Sequence, residues 1–147
     1  MLNIALFGPP GAGKGTQSKK LIEKYNLTYV ATGDLLRKEI AEGTALGIEA
    51  KNLIEKGRLV PDDMILQIIE KHINTNTNSS GILFDGFPRT YIQAYILEGL
   101  LMRMHTSLTC LLSLEVPREE LIERMLKRAE MENRSDDTLE VIEYRLL

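Results

Sequence analysis

The chain has 147 residues, of which 44% are hydrophobic and 27% charged, enough for one soluble domain with a real core. A net charge of −3, few aromatics and no Trp argue against a nucleic-acid partner or a base-stacking surface. No apolar run approaches the length of a membrane span, so no membrane partner is expected.

Residues 2–7 (Leu2 to Phe7) form an apolar run and read as a strand. Gly8-Pro9-Pro10-Gly11-Ala12-Gly13-Lys14-Gly15-Thr16 follows, and then a helix-like stretch, 17–25, with Leu21, Ile22 and Tyr25 on one face. Residues 28–30 are a brief second strand. Helix-like stretches follow from Gly33-Asp34 through Ala41 and from Leu46 to Lys56, the latter closing at Gly57 as a C-cap. Pro61-Asp62-Asp63 opens a further helix to His72, and residues 75–80 are a polar loop. Strand 82–84, helix 92–102, strand 108–116 and helix 118–131 complete the pattern, with a last helix starting near Ser135-Asp136-Asp137. Strands without polar alternation, separated by helices, predict an α/β doubly wound parallel sheet. Ligands of such sheets bind beyond the carboxyl ends of the strands. That singles out the loops at 8–16, 31–34 and 85–89.

Cys110, the single cysteine, cannot form an internal disulfide; lying in an apolar run, it predicts a buried free thiol in a reducing compartment. The N-terminus shows no basic segment leading into an apolar stretch. A cytoplasmic protein is expected. Met102, Met104, Met125 and Met131 are expected in the core, and His72 and His105 at the surface or at helix ends. No Cys/His spacing supports zinc, and there is no Ser-His-Asp signature.

The loop at 8–16 carries the strongest chemistry. Glycines let successive backbone N–H groups converge on one anion, and the following helix offers the positive end of its dipole. Lys14 adds a mobile cation. A glycine turn beside a solvated lysine is the plain alternative, but Gly-x4-Gly-Lys between a strand and a helix favours phosphate binding. Gly15 departs from the general pattern, in which Ser or Thr follows the lysine; here the hydroxyl comes at Thr16. Asp85, at a strand end beside this loop, suits a Mg²⁺ shell. Arg89 follows Pro88 in a stiffened loop and suits a phosphate. Arg37 lies one helical turn past Thr32-Gly33-Asp34, within reach of an anion there. Arg124 and Arg128 share a helix face; with Arg134 and Arg145 they gain meaning if they face the loop, because transfer between nucleotides needs several phosphate charges neutralised together. Arg118 and Lys127 read as solvated.

Together these residues resemble the adenylate kinase family of nucleoside monophosphate kinases, over essentially the whole chain. Gly8-Pro9-Pro10-Gly11-Ala12-Gly13-Lys14-Gly15-Thr16 matches the family's phosphate loop, in which the Gly15 form is normal. Thr32-Gly33-Asp34-Leu35-Leu36-Arg37, Lys56-Gly57-Arg58-Leu59-Val60-Pro61-Asp62, Asp85-Gly86-Phe87-Pro88-Arg89-Thr90 with Gln93, Arg134-Ser135-Asp136-Asp137 and Arg145 match its other signatures. The resemblance implies a phosphate-loop NTPase-type sheet of order 2-3-1-4-5 with helices on both faces. It divides the single domain into a core (1–30 and 61–147), a small helical subdomain for the monophosphate (31–60) and a short lid loop near 128–134.

It also implies roles. Gly11, Ala12, Gly13, Lys14, Gly15 and Thr16 would wrap the ATP phosphates, with Arg124 on the base and Arg128 on the phosphates. Thr32, Gly33, Arg37, Lys56, Leu59, Val60, Gly86, Arg89 and Gln93 would hold AMP, with Arg134 and Arg145 bridging the two nucleotides. Lys14, Arg89, Arg124, Arg128, Arg134 and Arg145 would be the catalytic cations. Asp85, through water, and Thr16 would serve Mg²⁺. The carboxamide of Gln93 and the hydroxyl of Thr32 favour AMP over UMP or CMP. Only Ala129-Glu130-Met131-Glu132-Asn133 separates Arg128 from Arg134, so the form is short-lidded and no zinc is expected.

The family continues with a further strand and helix, whereas this sequence stops within a helix. The expectation is a truncated form or part of a chain lacking the fifth strand, with residues 108–116 at an open edge. A monomer is expected unless another chain supplies that strand. The activity implied is ATP + AMP to two ADP. The alternatives are a nucleotide-binding module without catalysis, a UMP/CMP-type kinase, or another phosphate-loop kinase for a small metabolite.

Overall fold

A computed structural model describes residues 1–9, 11–132, 140 and 143. Its elements run β1 (Leu2–Phe7), α1 (Lys14–Tyr25), β2 (Leu27–Ala31), α2 (Thr32–Glu42), α3 (Ala45–Glu55), α4 (Asp62–Thr75), β3 (Gly81–Asp85), α5 (Tyr91–Arg103), β4 (Cys110–Ser113) and α6 (Arg118–Glu132). The strands form one four-stranded sheet of order β2-β3-β1-β4, and every pairing is parallel. The first four positions of the expected order therefore hold, and no fifth strand occurs among the described residues.

The register brings the site together. Leu6 and Ala31 both stand opposite Asp85, and Phe7 stands opposite Ser113. The carboxyl ends of all four strands thus lie in one row; the loops after β1 and β3 start there, whereas α2 follows β2 directly, so the loop expected at 31–34 is instead the end of β2 and the first turn of α2.

Alternation along the strands supplies both faces. Ala5, Val30, Ile82 and Phe84 pack under α2 to α5, against Leu35, Ile68, Ile69, Ile73, Leu97, Leu100 and Leu101. Ile4, Leu6, Leu27 and Leu83 face α1, through Leu21 and Ile22. Each fully buried Leu, Ile or Phe contributes about 1.5–3 kcal/mol, so these two layers fix the strand ends on which the site depends. Helix α3 ends in a Schellman motif. The Arg58 N–H donates to the Leu53 carbonyl and the Gly57 N–H to that of Ile54, with Gly57 at φ 69°.

Several expectations need correction. The strand expected over 108–116 is only Cys110–Ser113; among the described residues it pairs with β1, which ends at Phe7 opposite Ser113. It lies at the edge of the described sheet, as expected, with Leu111 and Leu112 exposed, but Cys110 is half-buried rather than buried. Tyr25 leaves the apolar face of α1 for solvent, where Lys24 Nζ stands 5.4 Å from its ring centroid. Met125 is buried and Met104 packs against the core, but Met102 and Met131 are exposed. Met102 belongs to the solvent side of α5, with the exposed Tyr91 and Tyr95. Helix α4 runs on to Thr75, and His72 Nε2 near its end donates to the outward carbonyl of Tyr29 on edge strand β2, at 2.9 Å. Helix α6 continues through Glu132, so residues 128–132 of the short lid are helical. Arg134, Arg145 and the helix expected near 135–137 lie outside the described residues.

Candidate active site at the strand ends

The loop after β1 is shaped by backbone conformations that L side chains rarely adopt. Gly11 and Gly13 have φ of 83° and 92°. The Ala12 N–H donates to the Pro9 carbonyl at 3.1 Å, which closes the turn. Gly13 caps α1 without any side-chain hydrogen bond to the first turn. The Gln17 N–H makes the first helical bond, to the Gly13 carbonyl. The preceding N–H groups of Lys14, Gly15 and Thr16 have no intrahelical acceptor and open toward solvent at the positive end of the helix.

These groups line a groove of about 790 Å³ together with Pro9, Lys19, Lys20, Asp85, Arg124 and Arg128. Among the described residues that line it, Asp85 is the one carboxylate, standing among cations. Its Oδ1 lies 2.9 Å from Lys14 Nζ, and its Oδ2 accepts from the Tyr29 hydroxyl at 2.5 Å. Burial first, and then the hydrogen bond and charge of Asp85, push the Tyr29 phenol far above its usual range. It therefore stays a donor, holding Asp85 in place. On α6, Arg124 donates to the Gly11 carbonyl at 3.3 Å and to Glu120 at 2.6 Å. Buried Met125 packs beneath Gly11, so α6 is seated on the loop and both arginines are brought to the groove.

A second hollow, of about 320 Å³, is lined by Phe7, Gly8, Lys14, Gly86 and Arg89. Arg89 Nε donates to the Gly86 carbonyl at 2.6 Å, after a cis Phe87–Pro88 bond. Lys14 lines both cavities.

The remaining candidates stand around this centre. Thr32 and Gly33 open α2. Arg37 pairs with Asp34 at the surface, away from the two cavities that meet at Lys14. Lys56 is the exposed C-cap of α3, Leu59 is 92% exposed, and Val60 packs against the core. Gln93 Oε1 accepts from the Arg89 N–H at 2.8 Å, and its Nε2 donates to Asp62 at 3.1 Å.

Sequence reasoning missed Tyr29, because a lone tyrosine in a short apolar strand reads as core. It also missed Glu39, buried on α2, which accepts from Lys71 of α4 at 2.9 and 3.0 Å and from the Thr44 hydroxyl. Thr90-x-x-Gln93 did carry a signal, the Thr-x-x-Gln helix-start pattern, and Thr90 does cap α5.

Comparison with known proteins agrees with this geometry. The family model described as Adenylate kinase matches residues 6–147. The chain is 45% identical over 147 residues to the adenylate kinase of Phocaeicola vulgatus, covering all of this chain and 78% of the relative. It is 47% identical over 146 residues to that of Parabacteroides distasonis (99% of this chain, 77% of the relative). It is 48% identical over 146 residues to that of Porphyromonas gingivalis (99% and 75%). By the family model over residues 6–147 and these relatives at 45–48% identity, and with the glycine loop, Lys14 and Asp85 in one groove, the chain belongs to the adenylate kinase family.

Proposed function

We infer that the chain catalyses the reversible, Mg²⁺-dependent transfer of a phosphoryl group from ATP to AMP, giving two ADP. The observation that carries this reading is the place of Lys14, which lines both the groove of the glycine loop and the Arg89 hollow. Two phosphate-bearing ligands in those cavities meet at one cation, as in-line transfer requires.

The chain's own residues supply positioning and charge. The free N–H groups of residues 14–16 bind the donor phosphates, with Arg124 and Arg128 beside them. Arg89 holds the acceptor phosphate. Lys14 exchanges Asp85 for the phosphoryl group and follows it. A bond forms from an AMP phosphate oxygen to the γ-phosphorus as the β–γ bridging bond breaks, leaving ADP on each side. The attacking oxygen is already anionic, so no general base is needed. The resemblance assigns Arg134 and Arg145 to the charge between the nucleotides.

Asp85 and Thr16 fit a magnesium site. One carboxylate and one hydroxyl in the groove suit an ion that keeps several waters and takes its other ligands from phosphates. When bound, the ion offsets negative charge on the β- and γ-oxygens.

Residues 31–60 act as a monophosphate-binding unit that closes over the acceptor with the short lid. Thr32, Gly33, Arg37, Lys56, Leu59, Val60 and Gln93 serve the acceptor in that closed form. A cytoplasmic, monomeric enzyme is part of the same reading. A coupled assay with AMP, UMP, CMP and GMP tests it: AMP is the fastest acceptor, and faster turnover of CMP or UMP overturns the acceptor assignment.

A further inference from the structure

We propose that Asp62 is a specificity-determining positioning residue. It fixes which way round the Gln93 carboxamide faces, and hence which purine edge the acceptor site reads. This rests on the assignment of Gln93 to the acceptor base.

A carboxamide is nearly symmetric in shape, so its orientation is a matter of hydrogen-bond chemistry. Gln93 is the third residue of α5, and its N–H donates to the Thr90 hydroxyl at 3.1 Å. In a capping box its side chain would turn back to the Thr90 N–H. Here Oε1 accepts instead from the Arg89 N–H at 2.8 Å, while Nε2 donates to Asp62 Oδ1 at 3.1 Å. One partner is a donor only and the other an acceptor only. Reversing the amide would set N–H against N–H at Arg89 and oxygen against a carboxylate at Asp62. Both ends therefore oppose the flip.

Each end keeps one unused position, a lone pair on Oε1 and an N–H on Nε2. Adenine offers an amino donor and a ring-nitrogen acceptor. A 6-oxopurine offers an oxygen acceptor and a ring N–H donor, the reverse order. A carboxamide free to turn serves either base, and a fixed one serves only one. Arg89 places the acceptor phosphate and also orients Gln93 through its own N–H, so phosphate and base are read from one short segment. The bland role of Asp62, an acid in the first turn of α4, is shared by Asp63 and needs no contact with Gln93.

The test compares AMP with inosine monophosphate at saturating ATP in wild type, Asp62→Asn, Asp62→Ala and Asp62→Glu, with thermal unfolding of each. An asparagine can present either end to Gln93, an alanine neither, and a glutamate only acceptors. The Asn and Ala variants should raise the KM for AMP and narrow the AMP-to-IMP ratio of kcat/KM by about tenfold, the worth of one hydrogen bond. Their KM for ATP should not change, and Glu should retain the preference. An unchanged ratio in Asn and Ala, or equal losses for both acceptors tracking a lower melting temperature, overturns the proposal. So does a wild type that does not distinguish the two purines. A wild type that fails to phosphorylate AMP at all refutes the acceptor assignment beneath it.

Discussion

Replacing Lys14 by Met removes the cation shared by the two cavities while keeping a long, unbranched side chain. In the folded chain Lys14 bonds Asp85 at 2.9 Å, and the two side chains are 26% and 12% exposed. Asp85 keeps the Tyr29 hydroxyl at 2.5 Å and an open side toward the groove, so its carboxylate is not stranded. The stability cost should be about 1 kcal/mol, a fall in Tm of about 2–4 °C for a chain of this size. Catalysis should suffer far more. Among the described residues, Lys14 is the one side chain lining both cavities. Losing one preorganised charge at a developing phosphoryl transition state costs about 3–4 kcal/mol, a factor of roughly 10²–10³ in kcat. A coupled ADP assay and a circular-dichroism melt, run on the same preparation, separate the two effects. A kcat close to wild type in a folded Lys14→Met variant would refute the role given to this lysine.

Three further outcomes are expected. Arg89→Ala should raise the KM for AMP at least tenfold with the KM for ATP nearly unchanged, as checked by initial-rate kinetics varying each nucleotide; equal effects on both would remove Arg89 from the acceptor side. Tyr29→Phe removes the only hydroxyl bonded to Asp85 among the described contacts, and should weaken Mn²⁺ binding to the enzyme–ATP complex severalfold by electron paramagnetic resonance. Glu39 has its pKa held below the usual carboxylate value by the Thr44 hydroxyl foremost, with Lys71 adding to it against the opposing effect of burial. A lowered folded pKa gives stability that is present above the unfolded carboxylate value, about 4.3, and is lost as pH falls through the folded one. Glu39→Gln should therefore destabilise the chain by about 1–3 kcal/mol at neutral pH, and the gap from wild type should narrow in denaturant melts below about pH 4.

What could be read from the sequence is what lies close together along it. Gly8 to Thr16 carry their whole chemistry in one segment, and the strand before and helix after follow from local pattern. The stop of α3 at Gly57 is likewise local: Gly57, just past the Lys56 cap, takes the left-handed conformation and the Schellman bonds form there. Contacts that cross the chain were not legible. Tyr29 and Asp85 are 56 positions apart and meet only because β2 and β3 pair with Ala31 opposite Asp85. Glu39 and Lys71 are joined by the packing of α2 on α4, and Asp62 and Gln93 by two helix starts that face each other. Exposure failed for a related reason. Met102 is apolar by type, but a helix's outer face is a property of the assembled layers.

The central claim is transfer between two nucleotides at Lys14, and the most direct test is the reaction itself. The purified 147-residue chain, mixed with ATP, AMP and Mg²⁺ and followed by ³¹P nuclear magnetic resonance, should convert each AMP consumed into two ADP. Starting from ADP alone, it should regenerate ATP and AMP. Binding of both nucleotides without any ADP appearing would contradict the account.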